Sequence, residues 1–480
     1  MKKNLTLFLL LLLNVGILKS QELVIFPEPD SIPHNNDFTV KVKTPGGQWK
    51  DLYEYEAQVD MHNVRKTSMV YFDFKGKVDI SVTFNQGKVQ TARIRPLSYQ
   101  LKPVVNGNTL TFSLEKPCNV SVEVNGDIFH NLHIFTNEPE IYKPDPKDTS
   151  VMYLAPGFHK VKDDVLNLTD GKTLYLAGGA VLKASIKCIN VKNARICGRG
   201  VVYKPVDGVT VNYSDNVQIE NLIFINPQHY TVSSGQSKNV TVRNIRSFSC
   251  RGWSDGIDLF SNDNVMIEGV FMRNSDDCIA IYAHRWDFYG NCINVTVRNS
   301  TLWADVAHPI LIGTHGNPEP GKEETIENIS FNNIDILNHD EPQLDYQGCM
   351  SINVSDGNLA KNIRFENIRV EDFEQGQLVN MRVAYNKKYA KAPGRGIENV
   401  YFKDITYAGN NANISIIQGY DDTRMIKDVT FENLLINGKL ISKKTPKPGY
   451  FKLSDIANFF VGTHVENFEF ITTDEKTSLK

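Results

Sequence analysis

From Glu22 to about Glu140 apolar and polar residues alternate in short runs, FTVKVKT, KVDISVTF, TLTFSL and NVSVEVN, cut by Gly, Pro and Asn. A period of two puts successive side chains on opposite faces of a strand, and several such strands between turn residues predict an antiparallel β-sandwich. A Pro-rich link, EPEIYKPDPKD, follows, and the texture then changes. One unit now recurs, an Asn followed by alternating residues, at Asn193, Asn216, Asn239, Asn264, Asn294, Asn328, Asn362 and Asn399, with Asp428 in the Asn position of a last copy. Successive starts up to Asn399 are 23 to 37 residues apart, and the intervals lengthen along the chain.

Repeats of this length, built of strands and lacking the 3.6-residue period of helices, predict a solenoid in which each coil buries its apolar face against the next. A propeller would also repeat, but its blades would not lengthen so unevenly. The expected fold is all-β: a signal peptide over 1–20, a β-sandwich over 21–145, and a right-handed parallel β-helix over 146–480. The recurrent Asn tolerates left-handed backbone angles and can stack its amide on the Asn of the next coil. The sandwich reads as a structural cap in preference to a glycan-binding surface.

Residues 253 to 282, WSDGIDLFSNDNVMIEGVFMRNSDDCIAIY, place Asp255, Asp258, Asp276 and Asp277 in an otherwise strand-like stretch. Asp255 and the pair Asp276 and Asp277 are about one short coil apart, so they fall on neighbouring rungs about 4.8 Å from each other. For both members of the pair to reach one cleft, the backbone must bend there, since adjacent residues of a flat strand face opposite sides. Carboxylates this close cannot all ionise, so one keeps its proton beside ionised neighbours, which is the division that glycoside hydrolysis uses. Turn capping and a calcium site are the other readings of such a cluster. His308, in WADVAHPILIGTHG, follows one lengthened coil later. His284, Arg285 and His315 leave the same coils in loops, and Trp253, Tyr282 and Trp286 offer either flat faces to sugar rings or core packing. Asp163 and Asp164 read as a surface turn, and Asp421 and Asp422 as a late turn beside Arg424.

Composition narrows the partners. A length of 480 residues exceeds one ordinary core, and a net charge of −3 with 22% charged residues leaves no basic footprint for nucleic acid. Lys2 and Lys3 ahead of the apolar run Leu5 to Leu13 read as a secretory leader, which predicts a secreted or periplasmic protein with no membrane span after cleavage. No cysteine lies near the cleavage point to carry a lipid. The seven cysteines are odd in number and scattered, with no CxxC spacing, so they read as core residues; a Cys188 to Cys197 bridge is the pairing left open. Nothing in the pattern sets an oligomeric state.

The run SDGID, then SDDCIAI, then HPILIG resembles the clan of β-helical glycoside hydrolases that holds polygalacturonases and the dextranase/isopullulanase family, over roughly residues 150 to 440. The polygalacturonase pattern is NTD, DD, GHG and RIK. The resemblance implies Asp276 as general acid, Asp255 and Asp277 positioning the nucleophilic water, His308 assisting nearby, inversion of configuration, and no required cofactor. Asp258, Trp253, Tyr282, His284, Arg285, Trp286 and His315 are the expected substrate-binding set on a polysaccharide or oligosaccharide. Ser254 replaces the Thr of the pattern, and Ala307 and Pro309 replace the glycines around His308. The RIK segment has no counterpart in YQGCMSINVSDG, which leaves Arg364 and Arg382 of later coils as substitutes. The leading N-terminal sandwich and TLWADVAHPI are more similar to the dextranase side. A polysaccharide lyase on the same fold, or a non-catalytic carbohydrate-binding solenoid, are the rival functions.

Overall fold

The computed structural model describes residues 21–29 and 32–477, so the predicted leader lies outside the described residues. Two sheets form the N-terminal sandwich, one of six strands and one of five. Alternation works as expected in Phe38–Lys43 and Val78–Phe84, whose inward residues Val40, Val42, Ile80 and Val82 are wholly buried. The sandwich is not purely antiparallel: Asp127–Asn137 runs parallel to Arg65–Lys75.

Arg65–Lys75 also breaks the alternation, with a continuous run SMVYFDF that is buried on both faces. Val70, Phe72 and Phe74 point into the sandwich core, while Met69 and Tyr71 pack against Val201, Ile223, Phe248 and Trp303 of the solenoid. A strand apolar on both faces needs cover on both. The sandwich therefore lies along the flank of the coils and not over their end, which corrects the expectation of a cap.

Three buried arginines at this seam each meet a carboxylate: Arg95 with Glu123 at 2.8 Å and Glu371 at 2.6 Å, Arg199 with Asp73 at 2.8 Å, and Arg273 with Asp305 at 2.9 Å. A fourth, Arg246, is bonded instead to the amides of Asn119 and Asn137.

From Val151 onward all strands except the separate pair Gly376–Gln377 and Ala412–Asn413 join one 29-stranded sheet path, parallel from coil to coil apart from one hairpin between Leu434–Ile436 and Lys439–Ile441. In one column Ile186, Val209, Val232, Ile257, Ile279, Ile310, Met350 and Val379 stand in register, all fully buried. This is the right-handed parallel β-helix the repeats predicted. Each repeat Asn has φ between 53° and 59°. The amides stack as expected, Asn216 on Asn193 at 2.8 Å, Asn264 on Asn239 at 2.6 Å and Asn399 on Asn362 at 2.7 Å, although Asn239 and Asn294 donate to Asp215 and Asp263 instead. Asn221 with Asn244 and Asn299 with Asn333 add a second set of stacked amides, outside the Asn that opens each repeat. All seven cysteines are free, Cys188 and Cys197 included. Asp163 and Asp164 form a bulge inside strand Gly157–Asn167, at φ of 58° and 50°, in place of the expected turn. No helix among the described residues is long and apolar enough to cross a membrane.

Candidate active site

Strands Val232–Gly235, Ile257–Phe260, Ile279–Tyr282, Ile310–Gly313, Met350–Val354 and Val379–Val383 form one face of the solenoid. Their inward residues are the aliphatic column; Asp258 points outward, between Ser233 and Ala280 in register. Asp255 precedes its strand, and Gly256 N–H donates to the carbonyl of Asp277 at 2.7 Å, which sets Asp255 beside Asp277 on the next coil. Only glycine fits there, because a Cβ at Gly256 would lie 2.2 Å from the Cys278 carbonyl oxygen. Ser254 fastens the same turn, its hydroxyl donating to the carbonyl of Ser275 at 2.5 Å.

The predicted backbone bend lies where expected. Strand Phe271–Ser275 ends, Asp276 and Asp277 form a break, and strand Ile279–Tyr282 begins. The pair therefore turns toward one place, and one oxygen each from Asp255, Asp276 and Asp277 lies within 4.8 Å of the others. Asp276 accepts the Trp253 N–H at 3.4 Å, and Asp258 lies within hydrogen-bonding reach of Asp255. One oxygen of Asp255 and one of Asp258 are buried without a partner.

Burial and mutual repulsion govern the protons. Burial first, then the charges of Asp258, Asp276 and Asp277, raises Asp255 well above the usual carboxylate range. Burial and Asp277 raise Asp258 in the same direction, with Arg285 opposing. Asp276 is pushed up to about 7 by burial and by Asp277, against the Trp253 N–H and His308. Asp277 has a different partner: its Oδ1 accepts from His308 Nδ1 at 2.7 Å and from His308 N at 3.0 Å. The other ring nitrogen of His308 meets the carbonyl of Tyr346. Two acceptors on one imidazole require two N–H donors, which is the protonated ring. Although burial works against that charge, Asp277 outweighs it and raises His308 to about 9. His308 is fully buried, so it stands behind Asp277 and holds it from there.

The remaining expected residues divide. Trp253 and Trp286 are 69% and 54% exposed, flanking the acids. Tyr282 is 4% exposed, its ring stacked on Phe260 with His315 edge-on at 5.1 Å. It offers no flat face to a sugar; a residue in register with Phe260 on a covered part of the sheet has no open side, and that expectation is corrected. Arg285 lies over Trp286, 4.8 Å from the ring centre, and its charge acts on Asp258 and Asp255. His284 packs on Tyr289 at 4.4 Å. Arg364 lies on another face of the solenoid, paired with Glu366 and over Tyr401, so it cannot replace the missing basic motif. Arg382 does lie on the acid-bearing face, donating to the Asp345 carbonyl at 2.8 Å. Asp421 closes the turn expected of it, accepting from Thr423 and Arg424.

Sequence reasoning missed Tyr346, Tyr389 and Lys388. They come from the long insertions 339–349 and 384–395, which carry no periodicity to mark them. Tyr346 is edge-on to His308 at 4.6 Å and stacks on Tyr389 at 4.9 Å.

A family model described as Glycosyl hydrolases family 28 matches residues 180–452. An exopolygalacturonase of Cochliobolus carbonum is 27% identical over 243 residues, 49% of this chain and 47% of that protein. A probable endopolygalacturonase D of Neosartorya fischeri is 23% identical over 237 residues, 49% of this chain and 44% of that one. These alignments span about half the length of each relative. Among solved structures, Dex49A from Penicillium minioluteum superposes with a TM-score of 0.55 at 12% identity, covering 93% of this chain and 96% of its own. The last likeness shows the fold alone. The matched span covers more than half the chain and includes all four cleft aspartates, and the protein belongs to glycosyl hydrolases family 28.

Proposed function

We propose that the protein, once exported to the periplasm or outside the cell, hydrolyses a pectin-type polysaccharide with inversion, using Asp276 as general acid and Asp277 with Asp255 to hold the attacking water. The observation that carries this reading is the contrast between Asp276 and Asp277. Asp276 keeps its proton up to about pH 7, which suits an acid that protonates a departing sugar oxygen. Asp277 is bound to a protonated His308, which favours its charged form and suits a carboxylate that orients water. Asp258 and Asp255 are within reach of one another, so a shared proton leaves one negative charge between them.

The acids stand closer than the roughly 6.5–9.5 Å common to inverting glycosidases. The inverting assignment therefore rests on the likeness to polygalacturonases. It is tested by the anomeric configuration of the first-formed product: a retained anomer would make one carboxylate the nucleophile. The activity is tested on a panel of polygalacturonate, rhamnogalacturonan, dextran, pullulan and algal galactans. New reducing ends without the ultraviolet absorbance of an unsaturated product are expected. Absorbance would mean β-elimination by a lyase, and silence on every polymer would favour a binding solenoid.

A further inference from the structure

Ala307 precedes His308 at a position where the polygalacturonase pattern has glycine, and its backbone is left-handed, with φ of 70°. An L-residue's Cβ crowds the neighbouring carbonyl there, a cost that glycine escapes, so Ala307 keeps this angle only because its surroundings impose it. Two bonds from the next coil do so. The Ala307 N–H donates to the Asp340 carbonyl at 2.8 Å, and the Ala307 carbonyl accepts from His339 Nδ1 at 2.8 Å.

The ring of His339 is wholly buried and has one arrangement of protons that fits. Its Nε2 faces the N–H of Gly348 at 3.2 Å and must accept, which leaves the ring proton on Nδ1 for Ala307. Burial and the charge of His308 push the ring down to about 3, which keeps it neutral above that pH. The space around it is shaped to the ring: Phe373 lies edge-on at 5.4 Å, and a Cβ at Gly376 would come within 2.1 Å of the imidazole.

His339 thereby touches both sides of His308. Through Ala307 it fixes the residue before, and through Gly348 it closes the insertion that carries Tyr346, whose carbonyl meets the far nitrogen of His308. His308 contacts Asp277 with its backbone N–H and with Nδ1, and both contacts depend on where Ala307 delivers the chain. The two imidazole centres are 6.2 Å apart, and His339 has no exposed surface on which a sugar could rest.

We propose that His339 is a positioning residue of this active site: it clamps Ala307 in the left-handed conformation and so aims His308 at Asp277. The proposal rests on the hydrolase reading above and adds a residue outside the NTD, DD, GHG and RIK pattern. It also accounts for the alanine. Where the pattern has a glycine, free to adopt the angle, this chain has Ala307 and a buried imidazole that holds it.

The test compares His339→Gln with His339→Asn in the full-length protein. The Asn amide N–H takes the place of Nδ1–H and still reaches Ala307, whereas the Gln amide takes the place of Nε2 and does not. His339→Gln should lower kcat, on the polymer that the parent protein cleaves, by about 10- to 100-fold, the effect of a small misplacement of reacting groups, with KM nearly unchanged. His339→Asn should keep most of that kcat, and adding Ala307→Gly to His339→Gln should recover it, because glycine needs no clamp. A second readout is independent of turnover. The His308 ring, followed by nuclear magnetic resonance of histidine-labelled protein and assigned with His308→Gln, should hold its proton up to about pH 9 in the parent and lose it at lower pH in His339→Gln. The groups that face it are Asp276, Asp277, Glu341, Tyr346 and His339, and only the last is altered.

Unchanged kcat with an unchanged His308 titration in His339→Gln would overturn the proposal, as would a loss in His339→Asn equal to that in His339→Gln. A fall in melting temperature alone, with the titration unmoved, would make His339 a packing residue only. If His339→Gln does not fold, failure of the added Ala307→Gly to restore folding overturns the clamp. No turnover by the parent protein on any polymer would overturn the hydrolase reading, and the titration would then judge His339 by itself.

Discussion

Two faces of the same solenoid bury charge, and they neutralise it in opposite ways. On the flank under the sandwich, Arg273 and Asp305 are fully buried at 2.9 Å, and Arg95 joins Glu123 and Glu371. Trp303 lies beneath both guanidiniums, 4.0 Å from Arg273 and 5.0 Å from Arg95. On the cleft face, Asp255 and Asp258 are equally buried, but each keeps an oxygen without a hydrogen-bond partner. The first face meets charge with opposite charge and holds two domains in one arrangement. The second meets charge with protons, so its state changes with pH and is available for acid chemistry. Removing a partner breaks the first kind of site; removing a titrating carboxyl relieves the second while ending its chemistry.

The largest expected effect lies on the cleft. Asp276→Asn should lower kcat by about 10²–10⁴-fold, the usual contribution of general acid catalysis, with the circular dichroism spectrum unchanged. Retained turnover would move the acid to another residue. Next, Arg273→Met should leave Asp305 buried and uncompensated, at a cost of about 3–5 kcal/mol, and lower the melting temperature without altering the pH profile of whatever activity persists. A melting temperature within error of the parent protein would show that the flank does not depend on its ion pairs.

The pH profile sharpens the contrast further. Because Asp276 must be protonated to act, kcat/KM should decline as pH rises through about 7, and the decline should be absent from the melting temperature of Arg273→Met relative to its parent. The smallest effect expected is on stability. A carboxyl whose folded pKa is raised contributes stability at low pH and loses it as pH rises through the folded value. Asp258→Asn should therefore melt at the same temperature as the parent protein near pH 4 and a few degrees higher near pH 8. A lower melting temperature at pH 8 would mean that the carboxylate is a needed partner of Arg285. A chelator should change neither quantity, since proton sharing and not a divalent ion balances the trio in this account.

Much of this was legible in the chain. Alternation and the recurrent Asn determined the β-helix, because a strand's side-chain period is two and because few residues other than Asn accept a left-handed turn at every coil. The coil length likewise determined that Asp255, Asp276 and Asp277 would meet, since residues one coil apart are one strand spacing apart. The alternation of the sandwich strands did not foretell that SMVYFDF would be buried on both faces, or that the sandwich would be covered on its outer side as well. Tertiary structure alone decided what covers it, and that His308 would stand buried behind Asp277 and not in the cleft. It also covered Tyr282 with Phe260 and His315, and it folded Arg285 and Phe288 back over earlier coils. Those outcomes depend on insertions of irregular sequence, where neither a period nor a motif constrains the path. Their contacts come from residues distant in the chain, and only packing of the whole brings them together.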